Sequence, residues 1–242
     1  MPHTGPMCGR YANARRDADL VTAFAIDEVV GEELPPSWNV APTDQVRAVL
    51  ERAPRQDPEA TPARQLRTVR WGLVPSWAKD PRGGARLINA RSETVTEKPA
   101  FRKAAARRRC LLAADGYYEW EKTPEGKQPY FLHGDGVLAF AGLYELWPDP
   151  ALPDDHPDRW LWTNTILTTQ AADAIGHIHD RTPLLVPADL IDAWLDPSVE
   201  DLGTVREMVA AMPKPVLRPR PVSAAVGDVR NDGPELIEPV EP

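Results

Sequence analysis

CLLAADGYYEW, residues 110–120, joins a run of aliphatic residues to a cluster of aromatic residues through one glycine. Aliphatic and aromatic side chains suit the pleated, half-buried surface of a sheet. This stretch therefore predicts a β-strand near the middle of the chain. Similar runs predict further strands on both sides, at residues 45–50, 66–71, 87–92, 129–132, 137–146 and 160–168.

Helical spacing of apolar residues lies mainly outside this central block. It predicts helices at residues 16–25, 101–109, 188–195 and 199–212, the last capped by Ser198. Strands and helices do not alternate as βαβ units. We therefore expect an α+β fold, a single domain with a curved or barrel-like mixed β-sheet core surrounded by helices.

Length and composition are those of an ordinary globular domain. The chain has 242 residues, of which 42% are hydrophobic and 26% charged. It contains no run of about 18 apolar residues, and the first seven residues, MPHTGPM, lack the basic and apolar blocks of a secretory signal. We expect one domain, no membrane and a cytoplasmic location.

Cysteine usage argues against a disulfide framework and against a zinc site. The chain has two cysteines, Cys8 and Cys110, without CxxC spacing. The sequence also lacks a phosphate loop, a dinucleotide fingerprint and an HExxH pair. We expect no metal and no cofactor.

Positive charge is concentrated in the middle of an acidic protein. The net charge is −8, but residues 64–110 carry 13 Lys and Arg against 3 Asp and Glu, a local charge of +10. The same stretch contains Trp71 and Trp77, and aromatic surfaces stack on unpaired bases. We interpret it as a nucleic-acid-binding face. The alternative is a solvated helix face, which residues 102–109 alone would fit.

Four short segments carry reactive polar groups: CGRY (8–11), LINARSET (87–94), GYYEW (116–120) and HIHDRTP (177–183). In LINARSET, strand alternation predicts that Asn89 and Arg91 share one face. Together they could donate hydrogen bonds to a carbonyl or phosphate oxygen. A structural salt bridge from Arg91 to a carboxylate is the alternative.

GYYEW and HIHDRTP supply candidates for acid–base chemistry. Alternation puts Tyr117 and Glu119 on one strand face, and a glutamate desolvated between aromatics suits proton transfer. Composition alone slightly favours an exposed strand carboxylate instead. His177 and His179 would share a face suited to a metal if extended, but no third ligand is evident. We interpret His179 as an acid–base histidine held by its neighbours; a histidine hydrogen-bonded in a loop is the alternative.

Taken together, these motifs resemble the SOS-response-associated peptidase family of abasic-site processing proteins. The resemblance spans nearly the whole chain, in order. It includes CGRY, WNVAPT (38–43), WGLVPSWAKD (71–80), INARSET (88–94), FR (101–102), RCLLAADGYYEW (109–120), FAGLYE (140–145), HDRTP (179–183) and VRNDGPELIEPV (229–240).

The resemblance implies a role in DNA repair during the SOS response, with single-stranded DNA bound in a basic groove at a double-strand junction. It implies that Cys8 is the crosslinking residue and that Asn89, Glu119 and His179 are its active-site partners. DNA-contacting groups carried over in the same way are Arg10, Pro42, Trp77, Arg91 and Trp120. Cys110 matches no catalytic position. We expect a monomer that associates with the nucleoid when bound to DNA.

Cysteine chemistry explains why Cys8 must be the terminal residue. A free α-amine can form a Schiff base with the C1′ aldehyde of a ring-opened abasic site, and the thiol can then close a five-membered thiazolidine. Residues 1–7 would therefore be an extension that is absent or removed, leaving residues 8–242 as the domain. Translation from Met7 followed by methionine removal would expose Cys8; self-cleavage before Cys8 is the alternative.

Two rival functions remain open at this stage. The first is a cysteine peptidase that acts on other proteins, with Cys8 as nucleophile and His179 as base. The second is a non-catalytic reader of modified DNA, or a simple structural module, whose affinity comes only from charge and stacking. Replacing Cys8 separates them.

Overall fold

Residues 9–54, 57, 59–124 and 126–240 are described by the computed structural model, and within them the chain forms thirteen strands and five α-helices. The strands, in chain order, are β1 (Tyr11–Asn13), β2 (Glu28–Val30), β3 (Ser37–Val40), β4 (Gln45–Arg52), β5 (Ala63–Trp71), β6 (Asn89–Arg91), β7 (Arg109–Ala114), β8 (Gly116–Thr123), β9 (Gly126–His133), β10 (Leu138–Pro148), β11 (Trp160–Gln170), β12 (Arg181–Pro183) and β13 (Arg218–Pro221). The helices are α1 (Asp17–Phe24), α2 (Arg102–Arg107), α3 (Asp173–Gly176), α4 (Ile191–Leu195) and α5 (Leu202–Ala211).

Five strands close into a barrel. The antiparallel pairs run in the order β11, β10, β7, β4, β5. A parallel pairing of β5 with β11, at Arg70 with Thr163 and Trp71 with Asn164, completes the ring. In a closed barrel each strand has a neighbour on both sides, so the ring itself has no edge strand. The predicted barrel-like core of a mixed α+β domain is confirmed.

Strand β7 shows why its sequence is continuously apolar. Alternate side chains enter two different cores: Cys110 and Leu112 belong to the cluster inside the barrel, whereas Leu111 and Ala113 belong to the cluster between the barrel and the helices. The outer cluster includes Leu20 of α1 and Trp194 of α4. A strand buried on both faces cannot alternate apolar with polar residues.

A second, five-stranded sheet lies beside the barrel in the order β13, β9, β8, β1, β3. Its central strand β8 follows β7 after Asp115 alone. Residues 110–120 are therefore two strands in two sheets, not the one strand that the sequence predicted. This segment connects the barrel to the second sheet.

Most predicted elements are found, but the short elements β1, β2, β3, β12 and α3 were not predicted, and three further differences have physical reasons. Asp201, not Ser198, caps α5, because its carboxylate accepts from the backbone N–H of Thr204 at 2.7 Å. The strand predicted at residues 87–92 is only the three-residue β6. Strand β13, RPRP, was missed because prolines argue against a strand; it is an edge strand, where missing N–H groups are tolerated.

No helix in the part of the chain that the structure describes is both long and apolar enough to cross a membrane.

Replacing Gly142 tests the packing of the barrel interior. A Cβ at this position would lie 2.6 Å from Leu112 Cδ1 and 3.1 Å from the carbonyl oxygen of Thr165. We expect Gly142→Ala to lower the free energy of unfolding by about 1–3 kcal/mol, because a filled interior must shift to accept a methyl group. Urea denaturation measures this. The matched control is Gly83→Ala, whose added methyl meets no atom within 4 Å; equal stability of the two variants would contradict the packing.

Candidate active site

The four chemistry-bearing segments meet at one end of the barrel. Each places one apolar side chain in the core cluster inside the barrel: Tyr11 from CGRY, Ile88 from LINARSET, Tyr117 from GYYEW and Ile178 from HIHDRTP. Direct contacts join the segments. Tyr11 pairs with Tyr117, and the hydroxyl groups of Tyr117 and Thr182 lie 3.0 Å apart. The polar residues beside these anchors therefore lie at the same barrel end.

Trp71 and Phe140 hold the anchors in place. The ring of Tyr11 packs edge-on against Trp71 at 5.2 Å and against Phe140 at 5.9 Å, and Tyr117 packs against Phe140 at 6.2 Å. The indole N–H of Trp71 donates to the carbonyl oxygen of Ile88 at 2.9 Å. Trp71 is fully buried, so the suggestion that it stacks on a base is wrong. Its role is to pack against Tyr11 and to hold the backbone of Ile88.

Cys8 lies outside the described residues, and Gly9 is the first residue whose position is described. The next residues pair with β8. Tyr11 is opposite Tyr117, and the carbonyl oxygen of Arg10 accepts from the backbone N–H of Tyr118 at 3.0 Å. From Tyr11 back to Arg10 the chain therefore runs along β8 in the direction of Glu119.

Glu119 is a buried carboxylate. Its exposed fraction is 4%, although composition slightly favoured an exposed side chain. The predicted alternation explains the burial, because Tyr117 enters the barrel core whereas Tyr118 and Trp120 pack in a separate cluster on the other face of β8. Burial restricts the access of water to a proton-carrying group.

Asn89 and Arg91 lie on β6, which pairs with β11 from Ile166 to Thr168. Between them, Ala90 is buried in the outer core, whereas Asn89 is half-buried and Arg91 is exposed. This is the predicted alternation. The predicted alternative, a structural salt bridge, is not seen for Arg91 among the described residues.

His179 is held by its neighbours, as predicted. The backbone N–H of Arg181 donates to His179 Nδ1 at 3.0 Å, which holds the imidazole ring in one orientation. The Asp180 carboxylate lies 3.1 Å from Nδ1 but is mostly exposed. His177 instead caps the C-terminus of α3, so the segment is not extended there and the two histidines do not share a strand face. The described residues contain no group of three candidate metal ligands.

Arg181 joins HIHDRTP to LINARSET. Its guanidinium forms a two-point ion pair with Glu93 and donates to the carbonyl oxygen of Thr168 on β11 at 2.6 Å. The hydrogen bond from Arg181 lowers the pKa of Glu93 below its ordinary value. Sequence reasoning missed Glu93, and the only available signal was a carboxylate beside Arg91. The ion pair fixes the spacing of the segments that carry Asn89 and His179.

Trp77 is the most exposed tryptophan identified in the structure, with 66% of its surface accessible. It lies on a turn in which the N–H of Ala78 donates to the carbonyl oxygen of Pro75 at 2.8 Å, and Trp147 Nε1 donates to the carbonyl oxygen of Ala78 at 2.7 Å. Gly72, at φ 122°, is needed below the turn because a Cβ there would lie 2.8 Å from the carbonyl oxygen of Gly84. The turn therefore holds an aromatic ring in solvent.

The other predicted DNA contacts occupy three separate environments. Arg10 is half-buried and donates to Asn39 Oδ1 at 2.7 Å and to the carbonyl oxygen of Val226 at 3.0 Å. Burial lowers the pKa of Arg10 from its ordinary value. Pro42 is half-buried in the turn before β4, and Trp120 is half-buried on the face of β8 opposite to Glu119. Their roles in DNA contact stay predictions.

The +10 stretch is not one basic face. Arg109 is buried and donates only to backbone carbonyl groups, such as Trp194 O at 2.7 Å. Ion pairs with carboxylates engage Arg64, Arg82, Arg107 and Arg108. The charge counted from the sequence is therefore larger than the charge available on the surface. Exposed residues near Trp77 and β6 include Lys79, Arg86 and Arg91.

Cys110 is chemically sheltered. It is fully buried in the barrel, and this burial raises the pKa of its thiol. A protonated thiol is a poor nucleophile. This agrees with the expectation that Cys110 has no catalytic position.

Comparison with known proteins places the chain in a family. The family model "SOS response associated peptidase (SRAP)" matches residues 7–229. Abasic site processing protein YoqW of Bacillus subtilis is 36% identical over 236 residues, covering 96% of this chain and 99% of that protein. Chicken HMCES and Escherichia coli YedK, both named abasic site processing proteins, are 32% and 31% identical; each alignment covers 97% of this chain, with 78% of HMCES and 100% of YedK.

Solved structures agree with this placement. A Bacteroides thetaiotaomicron protein superposes with a TM-score of 0.77 at 18% identity, over 97% of this chain and 100% of that one, which shows the shared fold. A phage-related protein of Bordetella bronchiseptica gives a TM-score of 0.64 at 28% identity, over 89% of this chain and 94% of that one. The chain belongs to the SOS response associated peptidase (SRAP) family of abasic site processing proteins.

Proposed function

We propose that this protein binds single-stranded DNA and links abasic sites covalently to Cys8 as a thiazolidine. The observation that carries the proposal is the meeting of CGRY, LINARSET, GYYEW and HIHDRTP at one barrel end, with Glu119 buried on the strand that pairs with the segment after Cys8. The relatives' names support DNA with abasic sites as the substrate.

The linkage forms in two steps, imine formation and ring closure. The free α-amine of Cys8 attacks the C1′ aldehyde of the ring-opened sugar, and loss of water gives an imine. The thiol sulfur then bonds to the imine carbon while its proton passes to the nitrogen, which closes a five-membered ring. Proximity favours this second step because both groups belong to one residue. The α-amine must therefore be free, whether through initiation at Met7 or through self-cleavage before Cys8.

The neighbouring groups have complementary tasks. Glu119 is the proton carrier for imine formation and for reversal of the link, because its buried carboxyl can give and take a proton with little competition from water. His179, whose ring is oriented by the backbone N–H of Arg181, acts on the sugar hydroxyl or on the sulfur proton. Asn89 orients the terminal amine.

DNA binding uses the surface formed by Trp77, Lys79, Arg86 and Arg91, here called the 77–91 surface. All four side chains are exposed, and the turn that carries Trp77 is fixed by hydrogen bonds. A flat ring stacks on an unpaired base while cations contact phosphates, a combination that suits single-stranded DNA, here at a double-strand junction. We propose that a monomer suffices for this task.

Cys8→Ala tests the linkage. The variant keeps a terminal amine after methionine removal but has no thiol, so we expect an imine that is seen only after borohydride trapping. The wild-type protein should give an adduct with abasic single-stranded DNA that survives denaturation without borohydride, and none with unmodified DNA. Denaturing gels measure both. A borohydride-independent adduct from Cys8→Ala would show that the thiol does not close the ring.

Glu119→Gln tests the proton carrier. The amide nearly matches the carboxyl in shape but cannot exchange a proton, so we expect the rate of adduct formation to fall about 10²-fold or more. Affinity for undamaged single-stranded DNA should stay within about twofold. Single-turnover kinetics and fluorescence anisotropy measure these two quantities. An unchanged rate would remove Glu119 from the mechanism.

Salt dependence tests the 77–91 surface. Arg91→Gln should reduce the slope of log affinity against log salt by about 0.7, the contribution of one phosphate contact on a single strand. Trp77→Ala should weaken binding by about 1–3 kcal/mol through lost stacking. The matched control is Lys103→Gln, an exposed residue of the same basic stretch on α2. Equal effects of Arg91→Gln and Lys103→Gln would contradict the assignment.

A further inference from the structure

A second candidate site lies at the barrel end opposite the active site. Strand β4 begins beside Trp71, whose N–H donates to the carbonyl oxygen of Asp44, and ends at Arg52. Strand β11 likewise pairs with Asn89 at Ile166 and begins at Trp160. Six to eight residues of strand correspond to about 20–25 Å. Arg52 and Trp160 are thus remote from the reaction.

A cavity of about 670 Å³ opens at this far end. Its lining includes the cationic side chains Arg52 and Arg67, the aromatic side chains Trp160 and Trp162, the amide Gln65 and the carboxylate Glu28. The volume accommodates a ligand of the size of a nucleotide. Nothing in the proposed reaction uses these residues.

Both arginines of the cavity lie over the ring of Trp162. The guanidinium carbon of Arg67 lies 4.0 Å from the ring centroid of Trp162, and that of Arg52 lies 5.1 Å from it. Neither forms an ion pair with a carboxylate of the described residues. The pKa of Arg67 is lowered by burial and then by the neighbouring charge of Arg52, and the charge of Glu28 offsets part of this effect. Two like charges that share one aromatic ring gain stability from an anion between them.

The two tryptophans of the cavity differ: Trp162 is packed against other side chains, and Trp160 is partly exposed. Trp162 stacks on Tyr144 with ring centroids 5.6 Å apart and an interplanar angle of 15°, while the arginines lie over its ring. Trp160, two residues away on the same side of β11, is 38% exposed. Its ring is therefore available for a planar ligand.

Gln65 has a buried oxygen that lacks a hydrogen-bond donor. It is only 9% exposed, its Nε2 donates to Glu28 at 2.7 Å, and its buried Oε1 has no partner among the described residues. A buried acceptor without a donor is costly. A ligand that offers an N–H group would satisfy it.

We propose that this cavity binds a planar aromatic anion of the nucleotide class, with the ring on Trp160, an amino group toward Gln65 and the phosphate between Arg52 and Arg67. Free nucleoside monophosphate and the phosphorylated end of a DNA strand share this chemistry. The site is independent of Cys8 and of the proposed linkage.

Calorimetric titration with dAMP tests the site in the full-length protein. We expect saturable binding that exceeds the binding of inorganic phosphate or of deoxyadenosine alone. Trp160→Ala and Arg52→Gln should each weaken dAMP binding about tenfold or more. Near-UV circular dichroism confirms the fold of each variant, and both positions lie at the partly exposed rim.

A titration with 5′-phosphorylated oligo(dA) then identifies the natural source of the phosphate. Tighter, Trp160-dependent binding of the oligomer than of dAMP indicates a strand end. Weaker binding of the oligomer indicates the free nucleotide.

Trp77→Ala is the matched control at the opposite barrel end. It should leave dAMP affinity unchanged, while Trp160→Ala should leave the adduct with abasic DNA unchanged. Absence of dAMP binding at millimolar concentration, or dAMP binding that both cavity variants leave intact, would overturn the proposal. Loss of dAMP binding in Trp77→Ala would also overturn it, because the nucleotide would then occupy the 77–91 surface. Failure of adduct formation in the wild-type protein would count only against the linkage by Cys8.

Discussion

Parallel pairing of β5 with β11 is the constraint on which the rest of the molecule depends. It closes the barrel at Trp71 and Asn164, and the chain that leaves β5 there forms the Trp77 turn before it returns as β6 along the same edge of β11. Closure therefore places the exposed tryptophan, Asn89 and Arg91 at one barrel end. Without it, the ring of five strands would not close, and the segment between β5 and β6 would lose its fixed position.

The site combines a rigid base with polar groups at its rim. Tyr11, Trp71, Phe140 and Tyr117 pack edge to face inside the barrel, and aromatic side chains packed in this way have little freedom to move. Each chemistry-bearing segment contributes one anchor to the core inside the barrel, and Arg181 adds a two-point ion pair to Glu93. Precision in the placement of small polar groups comes from these apolar contacts, since proximity effects depend on geometry.

Local patterns predicted much of the fold and part of the site. Runs of apolar residues identified the barrel strands, and alternation correctly separated Tyr117 from Tyr118. The patterns did not predict that residues 110–120 divide between two sheets, because each half has the composition of a buried strand. Charge counting also failed: Arg109 and Arg64 are cations in sequence, but carbonyl groups and carboxylates inside the fold engage them. Partners distant in sequence decide which arginines can meet DNA. The burial of Glu119 likewise depends on its long-range position.

The central claim is that the amine and thiol of one residue, Cys8, are joined to the damaged sugar. Tryptic digestion of the adduct with abasic DNA, followed by mass spectrometry, tests it most directly. The account predicts the modification on the peptide of residues 8–10, Cys-Gly-Arg, with Cys8 as its first residue. An adduct peptide that retains Met7, or a modification on any other residue, would contradict it.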